Sequence, residues 1–106
     1  MITEEIASEA LDVFKRRSGA YCDVNGLGKD WEQRFADSYY KLTKPGTQRL
    51  FKIGFALAAS GQRLTAKEYE IATGWSFDTD EEYREHLRRL WDFHFPHESP
   101  EHYLET

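Results

Sequence analysis

The chain has little of several things that small proteins use to organise themselves. It holds a single cysteine, Cys22, which excludes a disulfide framework and a thiolate zinc cluster. It has only three prolines, Pro45, Pro96 and Pro100, so Pro-rich linkers and polyproline segments are out. It has no apolar run near the twenty residues that cross a bilayer. The opening MITEEIASE lacks the basic flank and apolar stretch of a secretory signal, and the expected location is cytoplasmic. Internal repeats and low-complexity tracts are missing too, so the 106 residues read as one domain, 1–106, with about 97–106 a short C-terminal tail.

What is present is aromatic. Three Trp, six Tyr and seven Phe supply large core pieces, and a domain of this length buries roughly two thirds of its unfolded surface. The net charge of −5 conceals a polarised distribution. Residues 18–74 carry six acids and eight bases, whereas residues 75–106 carry nine acids and three bases. Patches of one sign choose partners, so this asymmetry says more than the average does.

The segment 47–61, TQRLFKIGFALAASG, is apolar nearly all round, with Lys52 the one charge between Leu50 and Ala59. That pattern predicts a buried central helix, bounded by Pro45–Gly46 before it and Gly61 after it, with Thr47 as cap. Gly54, one turn before Ala58, is costly in a helix interior, and its expected return is a close helix crossing, beneath a Trp or Tyr ring.

The remaining periodicity predicts four more helices. The first runs over Glu4–Arg17 from a Thr3 cap, burying Ile6, Ala10, Val13 and Phe14 and ending at Ser18–Gly19. Residues 20–29 are expected to be an ordered loop with Tyr21, Val24 and Leu27 turned inward; Asn25–Gly26 leaves a small hairpin open. The second spans Trp31–Leu42, with Asp30 and Gln33 as a capping box and Trp31, Phe35, Tyr39 and Leu42 as the buried seam. The fourth opens on a Thr65/Glu68 capping box flanked by Leu64 and Tyr69, carries Ile71 and Ala72 inward, and closes at Gly74. The fifth starts at Thr79 or Asp78, buries Tyr83, Leu87, Leu90 and Trp91, and stops at Pro96; Ser99-Pro100-Glu101 begins one last short turn. The expected fold is all-α, a single-domain compact bundle of about five helices.

The stretch LTAKEYEIATGWS…EEYREHLRRL resembles the second and third helices of a helix-turn-helix, over about residues 49–91. The resemblance implies a helix-turn-helix-like C-terminal half and, as one alternative, a DNA-binding transcriptional regulator. The departures are specific. Glu70 stands where a small residue belongs, the turn from Gly74 to the next helix is about four residues longer than the motif's, and the recognition helix would begin Asp80-Glu81-Glu82, which the phosphate backbone repels. A second nucleic-acid route is the basic middle, Lys41, Lys44, Arg49, Lys52, Arg63 and Lys67, if those ends converge; a solvated rim is the plainer reading.

Catalytic and metal signatures are weak. His94 and His97 are separated by helix-breaking Pro96, so histidines on the surface are the expectation, with His86 and His102. The loop from Asp23 fails as a calcium site, since Arg34 stands where the bidentate Glu belongs. Cys22 has no nearby His and reads as a small buried side chain. No cofactor and no metal are called for, and the chain is expected not to be an enzyme.

The favoured expectation inverts the charge argument. Asp78, Asp80, Glu81, Glu82, Glu85 and Asp92, beside Trp75, Phe77 and Phe95, make the candidate partner-binding set, with Phe93 and Tyr103 nearby. Aromatics among charges have the composition of an interface hot spot with a polar rim. The expected partner is a protein with a basic surface, and the expected role is inhibitor, immunity or counter-defence factor, or regulatory adaptor. Capping and solubility explain any one of the acids equally well.

Overall fold

In the computed structural model, which describes residues 2–23 and 25–105, six α-helices follow one another: α1 (Glu4–Tyr21), α2 (Trp31–Tyr40), α3 (Pro45–Ala59), α4 (Ala66–Thr73), α5 (Asp80–His94) and α6 (Pro100–Glu105). The fold is all-α, as expected, and no strand occurs among the described residues. The hairpin left open at Asn25–Gly26 is therefore not formed there, and Val24 lies outside the described residues. Among the described residues no helix is long and apolar enough to cross a membrane. The Cα radius of gyration, 12.8 Å, matches the roughly 13 Å of a compact domain of about 100 residues.

The central helix is α3, and it packs on α1, α2, α5 and α6. Phe51, Ile53, Phe55, Ala56, Leu57, Ala58 and Ala59 are all buried. Pro45 opens the helix at its first position, where its missing N–H costs nothing, and Lys44 rather than Thr47 is the N-cap. Gly54 does permit a close crossing, but the neighbour is backbone and not a ring. A Cβ on Gly54 would lie 2.2 Å from the Ala10 carbonyl oxygen and 2.9 Å from Phe14 Cβ. With Ala10 fully buried on the facing helix, α1 and α3 approach backbone to backbone.

The same device explains why α1 does not end at Ser18–Gly19. It continues to Tyr21, and a Cβ on Gly19 would stand 2.8 Å from the Ala72 carbonyl oxygen, so Gly19 is the point where α4 leans on α1. Thr3 caps α1 as expected, accepting from the Ile6 N–H at 3.1 Å. In α2 the expected capping box is not formed: Asp30 makes no side-chain cap bond, and Gln33 instead donates to Asp37 at 2.8 Å one turn on. The helix also stops two residues early, at Tyr40.

The α4 start follows its sequence signature fully. Thr65 accepts from the Glu68 N–H, and Glu68 accepts from the Thr65 N–H. Leu64 and Tyr69 are both buried around the box. Leu64 takes a left-handed φ of 67°, unusual for a side chain with Cβ, and the Tyr83 hydroxyl donates to its carbonyl at 2.7 Å. Gly74, at φ 84°, closes α4. Ile71 corrects the expectation of an inward position: it is 76% exposed, because an eight-residue helix buries only the face that carries Tyr69 and Thr73.

The C-terminus is likewise not a tail. Pro100–Glu105 is helical, with Pro100 buried, and α6 packs on α3. The Trp91 indole N–H donates to the Glu98 carbonyl at 2.6 Å, Lys52 Nζ meets Glu98 Oε2 at 2.7 Å, and Arg88 pairs with Glu101. Short-range signals could not show that these polar residues have partners 46 and 13 positions away.

Candidate functional site

The fifth helix buries one face and presents the other. Thr79 caps it, accepting from the Glu82 N–H at 3.1 Å, and Asp80, Glu81 and Glu82 occupy the first turn, where the helix dipole favours carboxylates. Tyr83, Leu87, Leu90 and Trp91 point inward, as their spacing predicted. Trp91 packs edge-on against Phe55 at 5.3 Å.

The outward face is not purely acidic. Glu81, Glu85 and Asp92 share it with Arg84, Arg88 and Arg89, each acid three or four residues from an arginine, the spacing of neighbours on a helix. Acid is densest at the start: Asp78, Asp80, Glu81 and Glu82 are all exposed, and no basic residue stands between Trp75 and Tyr83, with Arg84 next after them. Glu82 is partly occupied, since its carboxylate also accepts from the Asp78 N–H at 3.3 Å.

Of the three candidate aromatics, Trp75 and Phe77 are half-buried and Phe95 is lost to the core. Phe95 is 8% exposed. It is the C-cap of α5, where the chain turns back and lays its ring on Trp91 at 4.7 Å, Tyr39 at 5.2 Å and Lys52 Nζ at 4.3 Å. Two residues before it, Phe93 is 47% exposed. Trp75 and Phe77 flank a buried histidine. The His86 ring centre is 4.8 Å from that of Trp75 and 5.1 Å from that of Phe77, and Nε2 is hydrogen-bonded to the Tyr69 hydroxyl at 2.9 Å.

The histidine expectation is thereby half overturned. His86 and His94 are buried, while His97 and His102 are exposed. Burial, with Arg89 adding to it, pushes the His86 pKa down to about 4. Burial also lowers that of His94, whose Nδ1 is hydrogen-bonded to the Leu90 carbonyl at 2.8 Å. Both rings sit among aromatics, and imidazole reads in a sequence as polar although neutral it packs like one more ring.

The basic middle is partly spent inside the fold. Lys52 is taken by Glu98 and by the rings of Phe95 and Tyr103, and Arg63 pairs with Glu4. Lys41, Lys44, Arg49 and Lys67 are exposed. Cys22 is buried, as read from the sequence, and burial raises its thiol pKa far above the reactive range. Tyr21, expected to turn inward, is 37% exposed although its ring stacks on Phe35 at 6.1 Å, and Leu27 is half-buried.

Between α5 and the start of α2 lies an open groove of about 550 Å³. His86, Arg89, Leu90 and Phe93 form one wall, at the i, i+3, i+4, i+7 spacing of a single helix stripe. Trp31 and Trp75 form the other, their ring centres 5.9 Å apart and tilted by 43°. The Trp75 indole is fixed by its N–H donating to the Cys22 carbonyl at 2.6 Å. Glu32 and Asp92 stand at the rim. The sequence pattern placed Trp31 in a buried seam and His86 on the surface, and singled out no role for Glu32. The stripe on α5 was visible as spacing; the opposing tryptophans meet only through the fold.

The structure thus defines an all-α domain with an aromatic groove beside an acidic helix start. The chain matches no family model, no curated protein and no solved structure.

Proposed function

We propose that this chain is a cytoplasmic, non-enzymatic protein-binding module that engages a basic surface of another protein, as an inhibitor, immunity or counter-defence factor, or regulatory adaptor. The observation that carries the reading is Phe93, a ring left 47% exposed at the edge of an open groove, on the same helix whose first turn holds Asp80, Glu81 and Glu82. A large exposed ring among charges is the composition of a hot spot with a polar rim. Acids in excess over bases speed encounter with a positive surface and repel nucleic acid. Trp75 lines the groove and Phe77 packs on Trp75 and His86, while Asp78, Asp80, Glu81, Glu82, Glu85 and Asp92 supply acidic charge along the same helix and its approach; Phe95 has no part in it.

The test is an affinity measurement. A partner is captured from the source cell, purified, and titrated against the protein and against Asp80→Lys/Glu81→Lys/Glu82→Lys. The reading expects a loss of at least tenfold, together with weakening of the parent complex as salt rises. Unchanged affinity in the charge-reversed variant sinks it. Duplex DNA bound at low salt, with affinity falling steeply as salt is added, would favour the helix-turn-helix regulator instead.

A further inference from the structure

From the groove we infer that it is a socket for a positively charged side chain, an alkylammonium or guanidinium group presented by the protein partner. The inference rests on the reading of a basic partner and names the place where one of that partner's cations is anchored.

Three observations select a cation over other occupants. The first is the walls. Trp31, Trp75 and Phe93 border one opening, and the faces of aromatic rings carry the negative side of a quadrupole, Trp most strongly. The second is the rim. Glu32 and Asp92 border the same opening against one base, Arg89, which stands three residues before Asp92 and offsets that carboxylate, so Glu32 is left over. An anionic occupant would meet two carboxylates. A neutral apolar one would leave both exposed acids beside a partly dehydrated surface. The third is His86 in the α5 wall. It is held against the Trp75 ring and by the Tyr69 hydroxyl, and its low pKa keeps it uncharged at neutral pH, so it adds no positive charge to the socket.

The walls are also held in place beforehand. The Trp75 indole N–H is committed to the Cys22 carbonyl, so this ring cannot swing out to solvent without breaking a hydrogen bond. The fold itself shows the same chemistry elsewhere. Lys52 Nζ sits 4.3 Å from the Phe95 ring centre and 4.5 Å from that of Tyr103, with the Glu98 carboxylate closing the third side. The groove is lined by the same kinds of group, aromatic rings and carboxylates, with the space between them open to solvent.

The probe is tetramethylammonium, with tert-butanol as its neutral counterpart of similar shape, each titrated at constant ionic strength into the ¹⁵N-labelled protein. The indole N–H resonances of Trp31 and Trp75 are the readout, and Trp91, buried on the far side of α5, is the internal control. Saturable shifts at Trp31 and Trp75 with the cation and not with the alcohol are expected. Glu32→Gln/Asp92→Asn should weaken that binding about three- to tenfold. Both carboxylates are exposed, so the variant keeps the fold, which its amide spectrum checks. Equal shifts from tert-butanol, equal affinity in the amide variant, or no shift at either indole would each overturn the socket. Loss of partner binding on reversing Asp80, Glu81 and Glu82, with the indoles unmoved by the cation, would overturn the socket alone and leave the basic partner standing.

Discussion

Replacing Gly54 with alanine adds one methyl group to the middle of α3, where alanine is intrinsically better than glycine by about 1 kcal/mol. By propensity the variant should be more stable. The geometry says otherwise, because the new Cβ would fall 2.2 Å from the Ala10 carbonyl oxygen and 2.7 Å from its carbonyl carbon. Those atoms are backbone of α1 and cannot rotate away, so the two helices must separate along their crossing. Overpacking costs typically about 1–3 kcal/mol, and an unyielding obstacle puts this site at about 3. The net loss is then about 2 kcal/mol. At about 2.1 cal/mol/K of unfolding entropy per residue, a 106-residue chain loses about 9 °C in Tm. Calorimetry and urea titration measure it directly, with Gly46→Ala as the control. Gly46 lies in the first turn of the same helix with nothing within 4 Å of its would-be Cβ, so that change should be neutral or stabilising by up to about 1 kcal/mol. A Gly54→Ala protein melting at or above the parent would refute the backbone-to-backbone crossing.

Two further outcomes follow from buried charge. The His86 pKa is lower in the folded chain, about 4, than its ordinary 6.5, so between those values the unfolded state binds more protons and stability falls as pH falls. About 2 kcal/mol should be lost from this residue between pH 7.5 and pH 5, with His94 acting in the same direction; urea titrations of the parent and of His86→Gln should show the variant's dependence flatter by that amount, and identical slopes would contradict it. Lys52→Met keeps the aliphatic stem but removes the ammonium from Glu98 and from the Phe95 and Tyr103 rings, so it should cost about 1–2 kcal/mol and speed hydrogen exchange in α6. Unchanged α6 protection would show that Lys52 does not pin the C-terminus.

Much of the fold was legible because it is written locally. The Thr65/Glu68 box, the Gly74 stop and the inward set Tyr83, Leu87, Leu90 and Trp91 each depend on residues within one or two turns, and each is found as read. Where the reading failed, the deciding partner was distant in sequence. Ser18–Gly19 looks like a helix end until Ala72 is known to lie against it. Residues 97–106 look like a solvated tail until Lys52 and Arg88 are seen to hold Glu98 and Glu101. Phe95 looks like an exposed ring after the helix until the chain turns it back over Trp91.

The sequence by itself determined that the chain is helical, which helix is central and where acid accumulates, since periodicity, caps and charge are properties of neighbouring residues. Only the tertiary structure decided how α5 meets its surroundings. It turned Phe93 outward and Phe95 inward. It also brought Trp31 and Trp75 together across 44 residues, because their positions depend on the angle at which α2 and the α4–α5 link settle on the core, an angle no local pattern encodes.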